Sequence, residues 1–492
     1  MKTSGSDYNG YICKMRREDV NFATAMERNI DYGITVDDRK YIPRGPKFVS
    51  EPKSVVFDLS GRSQLNYVTL KCVADAFPSP SYKWYKEEYE GVRTKDVFID
   101  PLSDRRFTQT DGILTIDNPQ PDRDKGKYHC IAENNYGAII SSTVQLSFGY
   151  IVEFTKKRSP DYGREFWGKS ISCDPPNHHP AVNYHWSRDS FMNIIEDDRR
   201  LFVSKDGNLY FSSLEKIDRA NYSCNVKSSI ASSGRTGPFF PLIVDSASSS
   251  QKLLFPNHFP KVFPDFKIAG SEIRLECMAY GYPVPYYNWS RVGITDRLPE
   301  GSFFFSYNRV LIIPSAKVED SGEYQCTAIS GKDSISKSIQ LNIQSLPVIL
   351  KEIGNKVVER SLPTLQWECE AFGIPVVTYQ WYKNGVEISD RTKATVFSEE
   401  DRNRYEVRGN VLIIHGLIPE RDEGIYQCKA TNALGTAFSS GQLRIVQMSP
   451  SFRKHPLPTE IYAGEGGNIT IPCVPEALPV PTFEWQKDCK FN

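Results

Sequence analysis

In the stretch SEIRLEC, residues 271–277, polar and apolar positions alternate. Ile273, Leu275 and Cys277 fall on one side, and Glu272, Arg274 and Glu276 on the other. A period of two belongs to a strand with one face buried. RVLIIPS (309–315) and NVLIIHG (410–416) are apolar runs of strand length, each ahead of an Asp-x-Gly segment. No apolar run approaches the roughly 20 residues that span a bilayer. The pattern predicts an all-β chain of short strands.

One segment returns about every hundred residues: DKGKYHC (124–130), DRANYSC (218–224), DSGEYQC (320–326) and DEGIYQC (422–428). Each ends on a cysteine that has an earlier partner in the pattern: Cys72 with Cys130, Cys173 with Cys224, Cys277 with Cys326, Cys369 with Cys428. Twelve or thirteen residues after each first cysteine stands a tryptophan: Trp84, Trp186, Trp289 and Trp381. Cys473 followed by Trp485 opens a fifth copy that the sequence does not finish.

The order Cys…Trp…Tyr-x-Cys is that of an immunoglobulin sandwich. Two antiparallel sheets face each other, a disulfide joins strand B to strand F through the core, and the strand C tryptophan lies against it. The tyrosine hydroxyl bonds back to the main chain at the E–F corner. The corner aspartate calls for an arginine near strand D, and Arg106 for Asp124 and Arg200 for Asp218 are the candidates. Glycine between Asp and Tyr lets the chain turn without a side-chain clash. Ala220 fills that place in the second copy, which predicts a strained corner there. The expected fold is therefore tandem immunoglobulin-like (I-set/C2-type) β-sandwiches, four complete and one partial.

Length agrees, since a single core seldom exceeds about 300 residues and this chain has 492. Lys plus Arg equals Asp plus Glu at 60 each, which disfavours a general nucleic-acid or anionic-membrane binder and leaves only local patches. Each bridge closes a loop worth about 4 kcal/mol in the chain-entropy model. Bridges of this kind persist in oxidising compartments, so the chain reads as extracellular. The start, MKTSGSDYNG, has no apolar signal core. A secreted reading thus places the signal and the membrane anchor outside this sequence.

Three Asn-x-Ser/Thr acceptors occur, at Asn221, Asn288 and Asn468. Strand alternation turns all three away from the core. Asn221 falls on strand F and Asn288 on strand C, so glycans there would shield the G–F–C faces of the second and third sandwiches and send partners elsewhere.

Four stretches resemble the contactin family of adhesion proteins: GPKFVSEP (45–52), DRRLFVSKDGNLYFSSLEKIDRANYSC (198–224), LECMAYGYPVPYYNW (275–289) and LQWECEAFGIPVVTYQWYKNG (365–385), the last including Trp367. The second and fourth are the specific ones. The resemblance implies sandwiches at 45–149, 150–246, 259–343 and 344–446, a linker at 247–258 and a truncated fifth sandwich at 447–492. It also implies a horseshoe in which the first sandwich meets the fourth and the second meets the third. Twelve extended residues of linker reach roughly 40 Å, enough for the chain to turn back. Insect-type contactins imply septate junctions, neuronal or glial contact and axon guidance. They also imply L1-type and neurexin-type partners, possible self-association, and a C-terminal anchor to the plasma membrane.

Residues 1–35 support two readings. GYICKMRRED is similar to the last strand of the C-type lectin module that insect-type contactins carry, while Asp7, Tyr11 and Cys13 keep the spacing of an immunoglobulin F strand. Residues 36–44 read as linker. Cys473 is expected to pair with a cysteine beyond residue 492, and Cys489 to find a partner there or stay a surface thiol.

No catalytic constellation is expected, and no metal or cofactor. NHHP (177–180) reads as a solvated B–C loop, and IIEDDRR (194–200) as a charged strand edge. Two further classes compete with adhesion: the ectodomain of a receptor kinase or phosphatase, and an intracellular immunoglobulin array with reduced cysteines.

Overall fold

The computed structural model describes residues 11–17, 43–59, 66–90, 93–229, 234–293, 297–360, 362–389, 398–446 and 448–453, with scattered positions from 456 to 491. Strands dominate, and four sandwiches follow one another along the chain. Among the described residues no helix is long and apolar enough to cross a membrane.

Each sandwich pairs a B strand with an E strand in one sheet: Tyr67–Lys71 with Ile113–Asp117, Lys169–Ile171 with Leu209–Phe211, Ile273–Glu276 with Val310–Ile313, and Thr364–Glu368 with Val411–His415. The facing sheet carries C and F strands in a constant register. Trp84 lies opposite Cys130, Trp186 opposite Cys224, Trp289 opposite Cys326 and Trp381 opposite Cys428. All four bridges form in the expected pairs, Cys72–Cys130, Cys173–Cys224, Cys277–Cys326 and Cys369–Cys428. The tryptophans are buried beside them. In the first, second and fourth sandwiches a short N-terminal strand runs parallel to the G strand, as Val55–Asp58 does beside Val144–Ile151.

The corners repeat with little variation. Tyr128, Tyr222, Tyr324 and Tyr426 each donate their hydroxyl to the carbonyl of the aspartate four residues back, at 2.6, 2.9, 2.8 and 2.8 Å. Arg106 grips Asp124 and Arg200 grips Asp218 by two nitrogens each, as expected. Arg404 holds Asp422 in the same way at 2.7 and 2.9 Å. Each arginine stands 18 residues before its aspartate. Ser302 occupies that place in the third sandwich.

A second clamp was not anticipated. Two residues after each tryptophan comes a cation, Lys86, Arg188, Arg291 or Lys383. It donates to the carbonyl just before the corner aspartate: Arg123, Ile217, Glu319 and Arg421 respectively. This clamp explains the corner glycine better than a positive φ does. A Cβ on Gly126 would lie 2.9 Å from the Lys86 side chain, and one on Gly322 would lie 3.2 Å from Arg291. Among the four corners only Gly424 has a left-handed φ, +143°. Ala220 shows none, so the strain expected at the second corner is absent.

The strand Tyr11–Arg17 pairs antiparallel with Pro481–Lys487, placing Cys13 opposite Trp485. That is the register of an F strand against a C strand in the other four copies. The remainder of residues 1–42 lies outside the described residues, as does Cys489, and so does the expectation attached to each. Cys473 is disulfide-bonded within this chain, which corrects the expected partner beyond residue 492.

Candidate functional site

Residues on the outer face of an F strand alternate with core residues and should meet water. In the first sandwich His129 sits between Tyr128 and Cys130, yet it is 3% exposed; in the fourth, Gln427 holds the same place at 1%. Gln427 is covered where the first and fourth sandwiches meet. Gln427 donates its amide to the Ile140 carbonyl at 3.0 Å and accepts from the Ile140 N–H at 2.8 Å. Gly45 N donates to the Gln442 side chain at 3.2 Å, and Arg444 donates to the Pro43 carbonyl. Ile425 joins Ala74, Ala132 and Ile139 in one apolar cluster across the contact. Gly137, at φ +138°, leaves no room for a side chain: a Cβ there would lie 2.6 Å from Asn384 Oδ1 and 2.9 Å from Ile425.

Charge crosses the same contact. Burial pulls the Lys429 ammonium below the usual lysine value, while Glu387, Glu87 and Asp96 hold it up. Glu87 and Asp96 belong to the first sandwich, where they face each other across strands C and C′. With His129 they bring ligand atoms within 4.8 Å of one another. His129 stacks on Tyr85 with ring centroids 5.4 Å apart. The Lys429 ammonium answers the two carboxylates, so this cluster is balanced by the neighbouring sandwich.

The second and third sandwiches meet through a different set. Arg309 is fully buried, and burial lowers its affinity for its proton. It donates to the carbonyls of Leu201 and Ser306 at 2.9 Å each, and to the Asp198 carbonyl. Its guanidinium lies 4.9 Å from the centre of the Phe202 ring. Glu276 is equally buried and accepts from Ser204 Oγ at 2.5 Å, Arg274 Nε at 2.6 Å and Lys205 N at 3.2 Å. Burial raises its pKa against the pull of these donors. Lys261 pairs with Asp206, and Phe202, Tyr210, Phe259, Met278, Val310 and Ile312 form a shared apolar cluster. Together the two contacts close the first four sandwiches into the horseshoe.

Three of these segments make contacts that the sequence did not show. IIEDDRR keeps exposed charges at Glu196, Asp198 and Arg199 and also touches the third sandwich: Asp197 accepts from Ser306 Oγ at 2.7 Å, and the Asp198 carbonyl takes Arg309. NHHP is solvated at Asn177 and His179, and His178–His179 also pairs with Tyr150 and Ile151, extending the first sandwich's sheet into the second. The 247–258 linker is held at both ends. Gln251 N donates to the Phe166 carbonyl at 3.1 Å, Leu254 exchanges two main-chain bonds with Tyr280, and Leu253 and Phe255 pack on the third core. Asn221, Asn288 and Asn468 are exposed, the first two on F and C strands.

The immunoglobulin domain family matches residues 46–134, 262–329 and 347–432. Contactin of Drosophila melanogaster is 46% identical over 98% of this chain and 34% of its own length. Contactin-5 of Rattus norvegicus is 32% identical over 91% of this chain and 38% of its own. Contactin-1 of Homo sapiens is 32% identical over 94% of this chain and 42% of its own. The chain thus spans well under half the length of these relatives. Among solved structures, the insect immune protein hemolin superposes with a TM-score of 0.63 at 21% identity, covering 82% of this chain and 100% of its own. Sidekick-1 immunoglobulin domains 1–4 superpose at 0.59 and 23%, covering 82% and 99%. These two share the fold.

Proposed function

We propose, from the premise that this chain belongs to the contactin family, that it is an extracellular adhesion protein binding cell-surface proteins through its immunoglobulin sandwiches. The closed horseshoe carries this reading. Two interdomain contacts and four bridges make a rigid body whose loops and sheet edges are free to differ, which is what recognition between cells requires. The exposed placement of Asn221, Asn288 and Asn468 supports glycans at all three, directing partners away from the G–F–C faces of the second and third sandwiches. The partners that fit the family are L1-type and neurexin-type adhesion proteins and a second copy of this chain. Their setting is the plasma membrane at septate junctions and at neuronal or glial contacts. Hemolin's arrangement carries implications for homophilic adhesion of that protein, and self-association here belongs among the outcomes tested.

The test displays the chain on beads and offers L1-type ectodomain, neurexin-type ectodomain and bare chain-coated beads in turn. Saturable capture of any one of them, lost after disulfide reduction, is the expected result. Oxidised, correctly bridged chain that captures none of the three would overturn the reading.

A further inference from the structure

Where the second and third sandwiches meet, they leave an open cleft of about 750 Å³. Its walls come from both partners: Asn183, Tyr184, Lys205 and Lys227 from the second, Arg274 and Phe305 from the third. The contact that closes the horseshoe therefore also builds the cleft.

Its charge is uneven. Lys205 and Lys227 are exposed and make no ion pair among the described residues. Arg274 spends only its Nε on Glu276, at 2.6 Å. Glu276 itself is buried beneath the surface, its oxygens taken by Ser204, Lys205 N and Arg274. The one carboxylate on the wall, Asp197, is already occupied by Ser306 Oγ at 2.7 Å and Val203 N at 2.8 Å. Lys205 and Lys227, with the Arg274 nitrogens that Glu276 does not take, thus face the opening beside one wall carboxylate, Asp197, in a chain whose total charge is zero.

The rest of the lining selects among anions. Phe305 is 50% exposed and lies under the Arg274 guanidinium, ring centre to Cζ 5.6 Å. Together with the half-buried Tyr184 it offers aromatic surface to the apolar face of a pyranose ring. Asn183 and neighbouring serines supply hydroxyl-matching donors and acceptors. An open trough with aromatic platforms, amides and lysines suits a polymer of rings bearing charged substituents. Asn221 lies on the same F strand six residues before Lys227, about 20 Å away.

We propose that this cleft binds an anionic saccharide, with sulfate or carboxylate groups held by Lys205, Lys227 and Arg274 and a ring packed on Phe305. The source of such a saccharide is either a glycosaminoglycan chain or a sialylated glycan. The experiment titrates the full chain by calorimetry with heparin hexasaccharide, with sialyllactose and with a hexaglutamate peptide. Saturable binding to one saccharide is expected, weakening as salt rises from about 0.05 to 0.3 M. Lys205→Glu/Lys227→Glu should weaken it at least tenfold, and Phe305→Ala severalfold at unchanged salt dependence, because that change removes packing and no charge. Lys227→Gln alone should give a smaller loss, and keeps the test open should the double variant misfold. Heparin binding assigns the site to glycosaminoglycan, and sialyllactose binding to terminal sialic acid. Absence of binding to both, insensitivity to the lysine variants, or equal affinity for hexaglutamate with no effect of Phe305→Ala would overturn the proposal.

Discussion

Gln427 of the fourth sandwich and Ile140 of the first satisfy each other completely: one side-chain amide donates to and accepts from both main-chain groups of a residue 287 positions away. Gln427→Ala leaves a covered N–H and carbonyl without partners, at about 1–3 kcal/mol for each group left unsatisfied. The expected outcome is partial opening of the first–fourth contact with all four cores intact. Small-angle scattering should show a larger maximum dimension, while circular dichroism stays unchanged. A closed particle of wild-type dimensions would refute the assignment.

Lys429 works through charge rather than shape. It sits on the fourth sandwich facing Glu87 and Asp96 of the first. Lys429→Glu would bring a third carboxylate to the pair in a half-buried place where screening is weak. The contact should open further than with Gln427→Ala. The companion change Glu87→Lys should restore much of the closure by reversing the pair. Scattering on the two single variants and the double variant forms a cycle, and equal opening in all three would show that the charges are not coupled.

How far the sequence reached depends on whether a residue's burial is decided within its own repeat. Cys72, Trp84 and Tyr128 are buried by their own sandwich, and the spacing of the chain displays that directly. Arg106 with Asp124 and Arg200 with Asp218 were legible for the same reason. The third pair, Arg404 with Asp422, needed only the constant offset of 18 residues, which was there to be read. So was the clamp of Lys86, Arg188, Arg291 and Lys383, each two places after its tryptophan. Gln427 and Arg309 are another matter. Their alternation marks them as solvent-facing, and they are buried by a different sandwich a hundred or more residues away. No local period encodes such a contact, so the horseshoe came from resemblance and its residues came only from the structure. The bond from Ser306 to Asp197 was out of reach for the same reason.

Arg309 tests the second–third contact. Its guanidinium binds carbonyls and no carboxylate, so its value lies in the fork of donors and in packing on Phe202. Lysine cannot reproduce a planar fork. Arg309→Lys and Arg309→Ala should both weaken the contact, by about 2 and about 4 kcal/mol, with bonds to a charged group worth about 1.5–3 kcal/mol. Small-angle scattering is the readout, since the maximum dimension grows as the two sandwiches part. A Lys variant with wild-type dimensions would remove the fork from the account.

Lys383 gives the fourth sandwich a pH signature. Burial lowers its pKa to about 8 from the ordinary 10.5, against the pull of Asp422 and Asp401. Below about pH 8 both the folded and unfolded chains carry the proton, and the cost of the buried ammonium is fully present. Between about 8 and 10.5 the unfolded chain keeps a proton that the folded chain has released, so stability rises with pH across that window. Tyr405 and Tyr426 oppose this at the upper end. Burial raises both, so above the ordinary tyrosine value of 10.0 the unfolded chain loses protons that the folded one retains, and stability falls. The net expectation is a rise from pH 8 to near 10 followed by a decline. Lys383→Met removes the rise and keeps the decline. Calorimetry should therefore show the wild-type midpoint gaining on the variant's as pH climbs from about 7.5 to 9.5. Parallel curves would mean that Lys383 keeps its ordinary proton affinity inside the sandwich, and that the clamp on the Arg421 carbonyl carries no pH dependence.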